Sequence, residues 1–293
     1  MLLNFDILIH LLGWIQIKKD VWSLMRTCRT LKFAGMPHLF RPPISPCSHE
    51  QFAAFCSFID ASGPTCGRFL REFTFRTRLF VRAQKTGTLK SFISMFEHAQ
   101  QLQELGIEHL GDEMHGIPDP SLLQALGTLT GVKDLAIRSY ASSFIPVLQS
   151  LQSPVVKLDL TFNECVPNLN QVAPMSIIQN FSSSLEQLSL VWYSENFAPH
   201  HGAQFLRMTE LDITCPGMGL LTIDTLVYSF PNLRVLRTNS CDFWALTWDR
   251  APGDAHRQTN LASHSRRRWE SLDYLEGPLE YLYTLGIGCN VGT

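Results

Sequence analysis

One short apolar phrase, Leu-x-x-Leu-x-Ile/Leu, keeps returning along the 293 residues of this chain. Clear copies begin at Leu102 (LQELGI), Val132 (VKDLAI), Val155 (VVKLDL), Leu185 (LEQLSL), Met208 (MTELDI) and Leu233 (LRVLRT). Weaker copies at Phe69 to Phe75 (FLREFTF) and Leu282 to Ile287 (LYTLGI) extend the series at both ends. Successive middle leucines lie 30, 23, 30, 23 and 25 residues apart, the length of one supersecondary unit. Within a phrase the side chains alternate, Leu135 and Ile137 against Asp134, Ala136 and Arg138, as in a half-buried strand. Such a strand cannot bury its apolar face alone. Neighbouring units must therefore stack into a parallel sheet, with the intervening segments covering its apolar side. The alternative, unrelated strands of an ordinary α/β sheet, gives no reason for a shared phrase.

Composition narrows the partners. A 45% apolar and 17% charged chain of this length has material for an ample core. A formal net charge of −2 gives no general attraction to nucleic acid or an anionic membrane. The basic run Arg266 to Arg268 is short and reads as a solvated face. Eight scattered cysteines without a C-x-x-C pair read as free, mostly buried thiols in a reducing compartment. The apolar start, residues 1–17, has no basic leading segment, carries Asn4, Asp6 and His10, and is too short to span a bilayer. The expected location is the cytoplasm or nucleus.

Residues 1–40 follow a helical rhythm instead of the repeat. Ile7/Leu8, Leu11/Leu12 and Ile15 mark one apolar stripe; Val21, Leu24/Met25, Cys28 and Leu31 mark a second, with Asp20 as its expected N-cap. A third helix around residues 32–40 is expected to be interrupted by Pro37 and closed by Pro42-Pro43. Leu3, Asp6, Ile7, Leu8, Leu11, Ile15, Asp20, Val21, Leu24 and Cys28 fall in the order of an F-box, which this segment resembles, with Asn4 in place of the customary proline. Helices of this kind followed by a linker and the repeated phrase resemble the F-box/leucine-rich-repeat family, in its divergent, fungal-type form. The fold expected is α/β: a leucine-rich-repeat solenoid, a curved parallel sheet with outer helices, preceded by a small all-α segment.

The expected divisions are residues 1–40 (F-box-like helices), 41–68 (linker with a connecting helix capped by Ser48) and 69–293 (repeats). Helices are expected after the strands, at residues 89–100, 122–129 (capped by Asp119), 142–151, 174–181 and 220–230. Residues 242–269, polar and holding Pro, Gly, Arg and His, read as an insertion loop in which Phe243, Trp244 and Trp248 pack or mark a contact surface.

No phosphate-cradling loop, dinucleotide fingerprint or nucleophile elbow occurs. The titratable group Glu108, His109, Asp112, Glu113 and His115 has no zinc-ligand spacing and reads as an exposed loop; the adjacent His200 and His201 read no better as ligands. No metal, cofactor or catalysis is expected. The resemblance implies that Leu3, Ile7, Leu8, Leu11, Ile15, Val21 and Leu24 bind the adaptor protein of a cullin-based ubiquitin ligase, while the repeats hold a protein substrate. For the substrate, the concave face offers Arg76, Glu108, Arg138, Thr161 and Asn239, with Trp192 and Tyr193 as aromatic anchors and Arg138 near Glu108 and Asp134. The competing expectation is a free-standing interaction scaffold whose N-terminal helices are only a cap.

Overall fold

Alternation in the phrase becomes alternation across a sheet in the computed structural model, which describes residues 5–76, 79, 89–108, 119–139, 144–162, 174–192, 203–214, 222–239, 250–263 and 266–292. The fold is α/β, with eight parallel strands in one sheet that does not close on itself. Seven are β1 (Glu72–Arg76), β2 (Glu104–Glu108), β3 (Asp134–Ser139), β4 (Lys157–Phe162), β5 (Gln187–Trp192), β6 (Glu210–Thr214) and β7 (Val235–Asn239). They lie side by side in chain order, and β9 (Tyr274–Glu276) completes the sheet. β8 (Ser271–Leu272) and β10 (Asn290–Val291) pair separately.

Register is uniform. Leu105, Leu135, Leu158, Leu188, Leu211 and Leu236 form one column on the covered face, and Ile107, Ile137, Leu160, Leu190 and Ile213 form the next. All are buried. The entry into each strand repeats too: the carbonyl of Gln103 accepts from the amides of Lys133 and Asp134 at 2.8 and 3.0 Å, and that of Lys133 accepts from Val156 and Lys157 at 2.8 and 2.9 Å. Identical backbone pairing at successive units is what lets chemically similar side chains stack.

The last strand comes from a different copy of the phrase than the sequence indicates. Leu272 and Leu275 place β9, whereas Leu282 to Ile287 falls in a helix, Leu279–Leu285, and its turn. Gly286 ends that helix in the left-handed region at φ 58°, a conformation that suits glycine.

Helices cover the buried face: α5 (Leu89–Glu97), α6 (Pro120–Gly127), α7 (Ile145–Ser150), α8 (Pro174–Ile177) and α9 (Ile223–Ser229). Asp119 caps α6 by accepting from the Ser121 amide at 2.8 Å. The stretch read as an insertion loop contains α10 (Arg250–Ser263), which packs on α11, the Leu279–Leu285 helix. Its Pro252 sits in the first turn, where no amide is required. A buried polar side chain holds it: Asn260 accepts from the Ile223 amide at 3.0 Å and donates to the Thr284 carbonyl at 2.9 Å. Trp269, at the end of the same stretch, is buried and donates to the Phe230 carbonyl at 2.8 Å. Phe243, Trp244 and Trp248 lie outside the described residues.

The N-terminal part holds α1 (Phe5–Leu12), α2 (Lys18–Met25), α3 (Arg29–Phe40) and α4 (His49–Ser62). Asp20 is not the cap of α2 but lies in its first turn, where its charge favours the positive helix end. Pro37 does not interrupt α3, because buried Met36 and Phe40 anchor the helix on either side of it. Met25 packs into Gly35, where a β-carbon would displace its side chain. Ser48 caps α4 by accepting from Gln51, whose side chain in turn accepts from the Cys47 amide at 2.8 Å.

A chain of aromatic contacts ties these helices to the sheet. It runs from Trp22 through Phe58, Phe40, Phe55 and Phe73 to Phe92, with ring centroids 5.4 to 6.3 Å apart. Ile44 also pairs with the outer edge of β1, donating to the Glu72 carbonyl at 3.2 Å and accepting from the Thr74 amide at 2.9 Å. Phe92 also touches Phe52 and Phe96. Phe92→Ala should cost about 3–5 kcal/mol in urea unfolding monitored by circular dichroism, because it opens a cavity where helices and sheet meet.

Candidate functional site

Two surfaces stand apart from the core, one apolar and one charged. The apolar surface is on the N-terminal helices. Around α1, Ile7 and Leu11 occupy adjacent turns on one side, and Leu8 and Leu12 lie about 100° away. Leu12 is fully buried and Leu8 half-buried, whereas Ile7 is 59% and Leu11 46% exposed. The single stripe expected from sequence is thus two neighbouring faces, one spent on the core and one open. Trp14 (75% exposed) and Ile17 (62%) add to this exposed apolar set, joined by Phe5 and Trp22. Trp14 is oriented by donating its indole N–H to His10 Nε2 at 3.4 Å.

Of the residues assigned to adaptor binding, Ile7 and Leu11 are open, Leu8, Ile15 and Leu24 are partly buried, and Leu3 lies outside the described residues. Val21 is 2% exposed and belongs to the core, so it presents nothing to a partner. Phe5, Trp14, Ile17 and Trp22 are absent from the sequence reading, although Trp14 follows Ile7 and Leu11 at helical spacing, the signal that marks it.

The charged surface is the uncovered face of the sheet. Arg76, Glu108, Arg138, Thr161, Val191, Thr214 and Asn239 stand opposite one another strand by strand, as the repeat spacing predicts. Glu72, Glu104, Asp134, Lys157, Gln187, Glu210 and Val235 form a parallel column at the other end of the strands. Between them runs a column absent from the sequence reading, in which Gly106 and Ala136 give way to Asp159, Asp212 and Arg237. Gly106 has no room for a β-carbon beside the Thr74 side chain.

Asp159, Arg237 and Glu276 of this central column take part in ion pairs, and the other pairs lie within the flanking columns. Arg138 donates from Nε and Nη2 to Asp159 Oδ2 at 3.1 and 2.7 Å, not to Glu108 or Asp134. The bonded Asp159, its charge, and the more distant Glu108 raise the guanidinium pKa further. Arg76 pairs with Glu108 at 3.3 Å, Lys157 with Asp134 at 3.4 Å, and Arg237 lies 3.7 Å from Glu210 and 3.8 Å from Glu276. Exposed pairs of this kind add about 0–1 kcal/mol each. Glu72, Glu104 and Asp212 form no ion pair among the described residues. Asp212 accepts from Asn239 at 3.2 Å, yet burial holds its carboxyl above the usual range.

Trp192 is not an aromatic anchor on this face. It follows Leu188 and Leu190 at two-residue steps, so strand parity turns it to the core, where it is fully buried and meets Phe162 edge-on at 5.3 Å. Tyr193, His109, Asp112, Glu113, His115, His200 and His201 lie outside the described residues. Among the described residues no group of three His, Cys, Asp or Glu side chains is placed to hold a metal ion, and no helix is long and apolar enough to cross a membrane. Burial pushes the thiols of Cys56 and Cys66 up to about 12 and about 11, which leaves both unreactive, whereas Cys47 is exposed.

Trp192→Ala should therefore cost about 3–5 kcal/mol of stability in denaturant titration, the effect of a core residue. Glu104 gives a pH signature. Burial first, then Glu72 and Asp134, raise its carboxyl above the ordinary value of 4.5, with Lys157 opposing. Below that value the group is neutral in both the folded and unfolded states; as pH rises through the folded pKa, its ionisation lowers stability. Glu104→Gln should match the parent chain at pH 3 and melt about 1–2 °C higher at pH 7, by differential scanning fluorimetry. Comparison with protein-family models and with curated proteins returns no significant match for this chain.

Proposed function

We propose that this chain is the substrate-recognition subunit of a cullin-based ubiquitin ligase, built as an F-box segment followed by a leucine-rich-repeat solenoid. The observation that carries the reading is the set of exposed apolar side chains at Ile7 and Leu11 on α1 and at Trp14 and Ile17 in the link to α2, where Leu12 and Val21 pack into the core. Small soluble domains seldom leave so many large apolar groups in water without a partner. The order of parts supports the same reading: short helices, then parallel strands that share one phrase, with one face that no described element covers. The chain would work by proximity, holding a substrate where a conjugating enzyme meets its lysines at high effective concentration.

A free-standing scaffold with a helical cap has one observation in its favour. Val21, Met25, Leu31, Met36 and Phe40 are buried in the common core, as a cap requires. Co-purification of the full chain with the cullin adaptor decides between the two. Ile7 and Leu11 are exposed, so I7D/L11D keeps the fold by circular dichroism. The ligase reading expects tight adaptor binding that this variant weakens at least 100-fold. A folded parent chain that does not bind the adaptor leaves the scaffold reading in place.

A further inference from the structure

We propose that the open face of the sheet docks an extended polypeptide segment carrying two Lys or Arg side chains about six residues apart. The proposal rests on the receptor reading, of which it names the substrate class.

No described element covers this face, and its charge selects one kind of occupant. Across β1 to β9 it presents eight carboxylates against four basic side chains, an excess of four negative charges on a chain whose total is −2. All four bases are engaged: Arg76, Arg138, Lys157 and Arg237 each lie within 4 Å of a carboxylate on a neighbouring strand. The surplus is concentrated in two places. At one, Glu72 and Glu104 stand side by side, with Asp134 next along the column. At the other, Asp212 forms no ion pair among the described residues, Arg237 lying within 4 Å of Glu210 and Glu276 instead. An anionic partner would meet repulsion at both, whereas an incoming ammonium or guanidinium group supplies the missing countercharge.

Geometry sets the spacing. From β2 to β6 there are four strand intervals, about 19 Å at 4.8 Å each, and an extended chain covers that distance in about six residues. Gly106 and Ala136 keep the middle of the sheet low near the first position, so a backbone can approach the acids there. Tyr274, exposed beside Arg237 at 5.3 Å, adds an aromatic face two strands beyond the second.

The test is fluorescence anisotropy with the full chain, without adaptor, at 20 mM salt. The probe is a labelled ten-residue Ser/Thr peptide with arginines six positions apart; comparison peptides carry glutamates there, or arginines two positions apart. The proposal expects binding of the first peptide, at least tenfold tighter than either comparison and lost steeply as salt rises. E104Q/D212N should weaken it at least tenfold, while E97Q/E280Q, equal in charge but off this face, leaves it unchanged. No binding by the folded chain, equal binding of the glutamate peptide, or equal effects of the two double variants overturns the proposal. Adaptor co-purification fails or succeeds independently, so each result bears on its own reading.

Discussion

A strand with apolar residues at every second position needs that face covered, and pairing in one register joins such faces into a single surface that helices can cover; the rest of this molecule follows from that requirement. The leucine and isoleucine columns force parallel neighbours in chain order. Parallel neighbours force a crossover on one side, and the crossovers put helices over the apolar face. No described element covers the other face, and its residues are largely freed from packing duties. The repeated paired amide bonds at each strand entry hold the register within which these columns stand.

The columns could be read from sequence because they depend only on period and spacing, and Arg76, Glu108, Arg138 and Thr161, assigned that way, stand in register. What escaped has identifiable physical causes. Trp192 was placed on the open face although its parity with Leu188 and Leu190 puts it inside; extending the strand by one more step would have revealed this. Leu282 to Ile287 imitates the phrase, but a left-handed glycine after Leu285 suits a helix end, and the shorter Leu272-x-x-Leu275 carries the strand. Helix α10 is organised by a buried asparagine that bridges two other elements, a contact with no apolar period. In α1 the apolar residues fall on a helix as expected but not on one face, since Ile7 and Leu8 are about 100° apart and meet different surroundings.

The two candidate surfaces use different physics and occupy different parts of the chain. The apolar set at Ile7, Leu11 and Trp14 gains by being covered, so a partner there would be held chiefly by desolvation. On the sheet, the bases already have acids, which makes the face selective for sign and sensitive to salt. The aromatic contacts between Trp22 and Phe92 join the bodies that carry these surfaces, so the two are presented in a fixed relation to each other.

Ile44 has a consequence for assembly. A sheet made of similar parallel strands is a template at both ends, and copies joined end to end through such edges would grow into an open filament. Growth of that kind needs a donor edge and an acceptor edge on every copy. With Ile44 bonded to β1 at Glu72 and Thr74, part of one of the two is already occupied, and obstructing a single end hinders growth at every step.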